Sequence, residues 1–349
     1  MRKIILAAAA ALGLAFPFLA FPGLARAQTP IRVSYQPTNY WALPFYVATV
    51  KHWWKEVGLD PTFVLFPAGA PQIAAAAAGS WDVGATGSVP AVLGAARFDI
   101  LTIGIDNDES STNVLLASAK AYAKFAADPK SIAGQRILLT TNSTGDYAVR
   151  SCLAHWGVAA DQVSLVNLGQ APIVTALISG HAALAGLWAP YSYQAMQKAG
   201  ARVLCSGASA GVVIPGVLVV RAAYAKAHPD RVAAFLAVYV HAWGWAKAHP
   251  KDAAAMLQAA DQQGGVPLTP FGLTQEFKRP TFSLDQELAL MDASHGPSKL
   301  EGWMNAIGAF LKQAGSVANP PPASAYVTDA FMKRVAADPK LSTFADATN

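Results

Sequence analysis

Gly207-Ala208-Ser209-Ala210-Gly211 has the spacing of a nucleophile elbow, the turn that lifts a serine hydroxyl out of an α/β sheet toward a general base. That geometry requires a strand before the serine and a helix after it. Here Val212-Val213-Ile214-Pro215 follows, a β-prone stretch closed by proline, so the match predicts no nucleophile. The seven histidines fall in no H-E-x-x-H or related spacing, and two cysteines cannot complete a structural zinc site. No glycine-rich loop of the Walker or dinucleotide type occurs. Cys152 and Cys205 leave two outcomes open, a single bridge or two buried thiols, because sequence does not give their Cα separation. The chain reads as a binder, with no catalytic residue, metal site or cofactor expected.

The residues available for binding must be positioned by elements, and these alternate. Ile31–Tyr35 reads as a strand, Pro44–Val57 as a helix stopped by Gly58, and Thr62–Phe66 as a strand. A helix over Gln72–Ala78 ends at Gly79, and Asp82–Ala85 opens the next strand. The pattern restarts with strand Gln135–Thr140, helix Gly145–Trp156, strand Val163–Val166, helix Ala171–Ile178 and strand Leu184–Trp188. Strands separated by helices at this spacing predict parallel βαβ construction, here in two lobes. The apolar stretches Thr112–Ser118 and Gly216–Arg221 bracket the second run and predict a double crossover hinge. The expected division is 28–115 for the first part of lobe one, 116–220 for lobe two, and 221–349 for the remainder of lobe one with C-terminal helices. Pro229 and Pro250 are placed to open helices, and a last short helix is expected around Asp329–Ala336. Ligand would then bind between the lobes, near the carboxyl ends of the strands.

The N-terminus supplies the address. Arg2 and Lys3 precede an almost wholly apolar run from Ile4 to Leu24, and Ala25-Arg26-Ala27 is a small-x-small cleavage triplet. This predicts a signal peptide over 1–27 with mature start at Gln28, against an uncleaved membrane anchor, because Pro17 and Pro22 interrupt the run. No later stretch reaches the roughly 18 uninterrupted apolar residues of a membrane span. The formal net charge of +5 loses three positive charges with Arg2, Lys3 and Arg26, so it marks no nucleic-acid surface.

An ordered set of short motifs then carries a resemblance. Tyr35-Gln36-Pro37, Gly69 with Ile73–Gly79, Asp82–Pro90, Gly134–Leu139 with Ser143-Thr144, Ala176–Gly180 and Leu187–Tyr191 follow one another along most of the mature chain. Together they resemble the periplasmic substrate-binding proteins of ABC importers in the sulfonate, taurine, nitrate and thiamine-precursor group. The resemblance implies a type II periplasmic-binding fold that closes on its ligand, and delivery to an inner-membrane permease with a cytoplasmic ATPase. A monomer is expected. Two other classes stay in view: an enzyme on the same fold, as in thiamine-pyrimidine synthesis, and a ligand-sensing subunit docked on a membrane receptor.

Within that frame, Tyr40 and Trp41 follow the first strand and offer flat apolar walls with a polar edge. Gly87 and Ser88 lie where strand gives way to helix, and Asn142, Ser143 and Thr144 repeat that arrangement in the second lobe. Two helix N-termini favour an anionic or strongly accepting group. Asp106, Asp108 and Glu109 follow the Ile100–Ile105 strand with Asn107 as a further candidate ligand contact, and Asp146 opens the second-lobe helix; the carboxylates favour an amine or N–H-bearing group. Trp188 and Tyr191 are expected to close as a lid. No Arg or Lys falls at the matched cleft positions. The combined expectation is an aminosulfonate-like zwitterion or a nitrogen heterocycle with carbonyl groups, and not a bare inorganic anion.

Overall fold

The computed structural model describes residues 28–262 and 268–348. The expected signal peptide, 1–27, lies outside them. The first half of the chain contains β1 (Thr29–Tyr35), α1 (Asn39–Val50), α2 (Trp53–Glu56), β2 (Leu59–Leu65), α3 (Gly69–Ala75), β3 (Val83–Gly87), α4 (Ser88–Arg97) and β4 (Ile100–Asp108). It continues with β5 (Val114–Ala117), α5 (Ala119–Ala127), β6 (Arg136–Leu139), α6 (Thr144–His155), β7 (Ser164–Asn167), α7 (Gln170–Ile178), β8 (Leu184–Leu187), α8 (Tyr191–Ala199) and β9 (Arg202–Ser206). The remainder is β10 (Pro215–Arg221), α9 (Ala222–Ala227), α10 (Pro229–Ala248), α11 (Pro250–Gln262), α12 (Pro270–Glu276), α13 (Leu284–Met291), α14 (Lys299–Gln313), α15 (Ala330–Ala337) and α16 (Pro339–Asp346).

Two five-stranded sheets share one plan. The first has the order β2-β1-β3-β10-β4 and the second β7-β6-β8-β5-β9. In each, four strands run in one direction, and the fourth in the order, β10 or β5, is antiparallel to both neighbours. That fourth strand is the one entered directly after the chain crosses between sheets, at 109–113 into β5 and at 207–214 into β10. The two crossings are stitched together: the Glu109 amide donates to the Ile214 carbonyl at 2.8 Å, the Ile214 amide to Ser110 Oγ at 2.8 Å, and the Gly207 amide to the Asn113 carbonyl at 3.1 Å. A Cβ at Gly207 would come within 2.6 Å of Ile214 Cδ1, so glycine lets the crossings touch.

Sheet membership moves the expected boundaries. Residues 215–220, assigned from sequence to lobe two, pair with β3 and β4 in the first sheet, whereas Val114 and Leu115 pair with β8 and β9 in the second. An apolar β-prone stretch declares a strand; which sheet accepts it depends on partners far away in sequence. The first helix also begins earlier than expected, at Asn39, and carries Pro44 internally. It breaks at His52, whose φ is +61°, before α2.

In the second sheet both faces are covered. Leu115 on β5 joins Ile137, Leu139 and Val149 on the α6 side, while Val114 and Leu116 join Leu138, Ile173 and Leu187 on the α7 side. The alternation follows the two-residue period of a strand, and apolar residues on both sides fit a sheet buried between helices. Cys152 of α6 and Cys205 of β9 are bridged, with a Cα–Cα separation of 6.0 Å. Ser209 sits in the turn after β9 with its hydroxyl bonded to the Ser206 carbonyl at 3.0 Å, and no helix follows it. Among the described residues no helix is long and apolar enough to cross a membrane.

Candidate functional site

The strands of the first sheet deliver their chemistry at one end. β3 finishes at Gly87, and α4 starts at Ser88, both buried. A Cβ on Gly87 would lie 2.7 Å from Thr144 Cγ2 at the start of α6, so the two helix N-termini meet across the lobe boundary. On the second-lobe side Ser143 caps α6 by accepting from the Asp146 amide at 3.2 Å. A Cβ on Gly145 would stand 3.3 Å from the Trp188 ring and 3.8 Å from Asn113 Oδ1. The first crossing therefore runs directly past the α6 N-terminus.

At that crossing lies a buried polar cluster. Asn113 Nδ2 donates to Glu109 Oε2 at 3.0 Å and to the Glu109 carbonyl at 3.2 Å. Arg279, from the loop after α12, donates to Thr112 Oγ1 at 2.7 Å and Asn107 Oδ1 at 3.2 Å, and pairs with Glu276 at 3.2 Å. Its guanidinium lies 3.9 Å from the centroid of Tyr40, whose ring meets Trp41 edge-on at 4.9 Å. Asn107 in turn donates to Asp106, which also accepts from the Tyr239 hydroxyl and from Trp243 Nε1 at 3.2 Å. A side chain at Gly216 would collide with Asn107 and Glu109, each 2.8 Å from the Cβ position.

The electrostatics are under-compensated. Burial pushes Glu109 up to about 7, although Arg279 and Asn113 pull it back and Thr144 of the second lobe is near enough to help. Burial likewise pushes Asp106 up to about 7 against the hydrogen bonds from Tyr239, Trp243 and Asn107. Glu276 is raised by burial despite its Arg279 partner. Burial disfavours the Arg279 charge, but the surrounding carboxylates outweigh it and hold the guanidinium firmly protonated.

Several buried side-chain atoms here have no partner in the protein: Trp41 Nε1, Ser88 Oγ, Glu109 Oε1, Asn113 Oδ1 and Arg279 Nε. Buried polar atoms are normally paired, so a group of them along one boundary points to a binding site. Two are acceptors, two are donors, and the hydroxyl serves as either. A cavity of about 760 Å³ lies elsewhere along the lobe boundary, lined by Arg150, Asp161, Phe310 and Gln313 among others. None of the partnerless atoms lines it, so the polar cluster defines the candidate site.

The structure brings Tyr40, Trp41, Gly87, Ser88, Asn107, Thr144 and Trp188 to this boundary. Asp106 is adjacent, with both oxygens bonded by first-lobe groups. Asp146 instead pairs with Arg150 of its own helix at 2.8 Å and accepts from the Asn142 amide at 3.1 Å, so its charge is already answered. Asn142 has φ +56° and its Oδ1 accepts from Ser316 Oγ across the lobes at 2.5 Å. Tyr191 packs on the second-lobe cluster containing Ile173 and Leu187. No Arg or Lys stands at the matched positions, but Arg279, outside them, joins the cluster through Asn107 and Thr112. Glu276, Asn113, Thr112 and Tyr193 also stand outside the expected set; they lie in loops and helix ends without motif spacing, and only the fold brings them to the cluster, as where Thr112 meets Arg279 from 167 positions away.

A Bacillus subtilis (strain 168) protein named for binding aliphatic sulfonates is 29% identical over 216 residues, 60% of this chain and 64% of that protein, so the match spans less than two thirds of its length. The taurine-binding periplasmic protein of Escherichia coli (strain K12) is 30% identical over 225 residues, 63% of this chain and 67% of the relative. The crystal structure of the periplasmic aliphatic sulphonate binding protein SsuA from Escherichia coli superposes with a TM-score of 0.70 at 18% identity, over 86% of this chain and 92% of that one, a likeness of fold. The model of the NMT1/THI5 like family matches residues 39–253, more than half of the chain, and this protein belongs to that family.

Proposed function

We propose that this protein is the solute-binding component of an ABC importer, which captures a small polar organic molecule between its lobes and presents it to a membrane permease coupled to a cytoplasmic ATPase. The observation that carries the reading is the set of buried, partnerless donors and acceptors where the N-termini of α4 and α6 meet the first crossing. Relatives named for binding taurine and aliphatic sulfonates support a binding role over a catalytic one, as does the absence of an elbow helix after Ser209. A periplasmic, monomeric protein starting at Gln28 is the form in which it would act. N-terminal sequencing of exported protein tests that start.

The same atoms favour a ligand with two characters. Glu109 Oε1 and Asn113 Oδ1 need a donor, whereas Trp41 Nε1 and Arg279 Nε need an acceptor. An aminosulfonate-like zwitterion satisfies both ends, and a nitrogen heterocycle with carbonyl groups does so without net charges. A bare inorganic anion leaves the acceptors unanswered, at a cost of about 1 to 3 kcal/mol for each. Native mass spectrometry of freshly purified protein, followed by calorimetry with 2-aminoethanesulfonate and ethanesulfonate, tests the reading. Preference for the amine-free compound would sink it.

A further inference from the structure

The family match ends at residue 253, yet a large part of the site's charge comes from beyond it. The segment from α12 to Arg279 touches both lobes. On the second lobe the Phe271 ring meets Tyr193 of α8 edge-on, with centroids 5.9 Å apart, and Gly272 lies so close that a Cβ there would be 3.0 Å from Tyr193 Cδ2. The Tyr193 hydroxyl is near enough to Glu276 for each to perturb the other, though it makes no well-aligned hydrogen bond. On the first lobe Arg279 lies against Tyr40 and reaches Asn107, while the Pro280 carbonyl accepts from the Asp108 amide at 3.0 Å and the Thr281 carbonyl from Lys247 Nζ at 2.7 Å. The segment is thus clamped beyond Arg279 and rests on the opposite lobe before it.

Arg279 is 5% exposed, and Glu276 is the one carboxylate within ion-pair distance of it among the described residues. Its two terminal nitrogens are engaged by Glu276, Asn107 and Thr112, which fixes the plane of the guanidinium and leaves Nε as the partnerless donor. Glu109 feels Arg279 electrostatically without pairing with it. A zwitterion between the two completes an alternating row of charges: Glu276, Arg279, the ligand's acidic group, the ligand's amine, Glu109. A neutral heterocycle leaves that row unfinished.

Resting on the proposed binding role, we infer that the 270–279 segment is a third wall of the cleft, and that Arg279 is its specificity-determining residue, selecting ligands whose acidic group sits opposite an N–H-bearing end. A fixed, desolvated guanidinium discriminates by presence or absence of the acid, because charge-assisted hydrogen bonds are about twice as strong as neutral ones.

The test compares two probes on the full mature chain by calorimetry: 2-aminoethanesulfonate and 2-aminoethanol, which keeps the amine and lacks the acid. The parent should bind the sulfonate at least about tenfold tighter. In Arg279→Gln that ratio should collapse toward one, with affinity for 2-aminoethanol retained. Should Arg279→Gln fail to fold by circular dichroism, Arg279→Lys keeps the charge but not the Nε donor or the planar fork, and should still reduce the ratio roughly threefold or more. An unchanged ratio in the folded variant, or an equal loss for both probes, overturns the assignment of Arg279 alone. A parent that binds neither probe overturns the zwitterion reading on which it rests.

Discussion

The two ends of the first sheet treat carboxylates in opposite ways. At the end where β3 begins, Asp82 is held by Arg32 at 2.7 Å and Arg221 at 2.8 Å, and also accepts from the Arg32 amide. Burial alone would raise its pKa, but these two arginines and their hydrogen bonds pull it below the usual value. At the end where β3 finishes, Glu109 and Asp106 are fully buried with one guanidinium nearby, itself committed to Glu276, and both rise to about 7. One end therefore closes its charges internally and acts as structure. The other keeps charge and hydrogen-bonding capacity in reserve, the arrangement expected where a ligand must supply the missing partners.

The sharpest way to break this contrast is to remove one carboxylate from each end. Asp82→Asn leaves two arginines without their counter-charge, and should cost about 2 to 3 kcal/mol of stability in denaturant unfolding, moderated because Arg32 keeps contact with solvent. Ligand affinity of the folded variant should stay within error. Glu109→Gln should do the reverse: about 2 kcal/mol, or roughly 30-fold, of lost affinity for 2-aminoethanesulfonate by calorimetry, with affinity for ethanesulfonate spared and unfolding stability unchanged or higher. If Glu109→Gln destabilises the chain as Asp82→Asn does, the two ends are alike and the site assignment fails.

A finer separation lies within the cleft end. Asp106 is bonded from α10 by Tyr239 and Trp243 and reaches the cluster through Asn107, so under the proposed binding role it is expected to position Asn107 and not to touch the ligand. Asp106→Asn should weaken 2-aminoethanesulfonate binding less than about tenfold, and by a similar factor for ethanesulfonate. An effect that matches Glu109→Gln in size and in amine selectivity would place Asp106 against the ligand.

A separate test lies in pH. Glu109 and Asp106 titrate near 7 when folded, against 4.5 and 3.8 as ordinary side chains. Between about pH 4 and 7 the folded chain keeps protons that the unfolded chain releases, so their contribution makes stability fall as pH rises through that window. Asp82 acts in the opposite sense, since its lowered value means stability is lost only as pH drops below the ordinary carboxylate range. Thermal unfolding of the ligand-free protein at pH 5 and pH 7.5 should show a lower midpoint at the higher pH, and the difference should shrink in Glu109→Gln. An equal difference in parent and variant would show that Glu109 does not titrate in this range.

By itself the sequence determined the alternating elements, the two-lobe class, the family resemblance and the strand-to-helix junctions at Ser88 and Thr144. Each of these is written in periodicities and turn residues that act over a few positions, such as Gly79 ending its helix with φ +63°. Local signals also show that Gly216–Arg221 is a strand, but not that it belongs to the first sheet, because pairing with β3 and β4 is settled by residues more than a hundred positions away. The bridge between Cys152 and Cys205 was open for the same reason, and closes because α6 lies against β9. Tertiary structure alone decided the charge of the cleft. It turns Asp106 toward α10, buries Glu109 and carries Arg279 into contact with Tyr40, whereas composition and spacing treat these groups only as charged residues. Charge in a binding site depends on desolvation and on which partners lie within a few ångströms, and both are properties of the packed molecule.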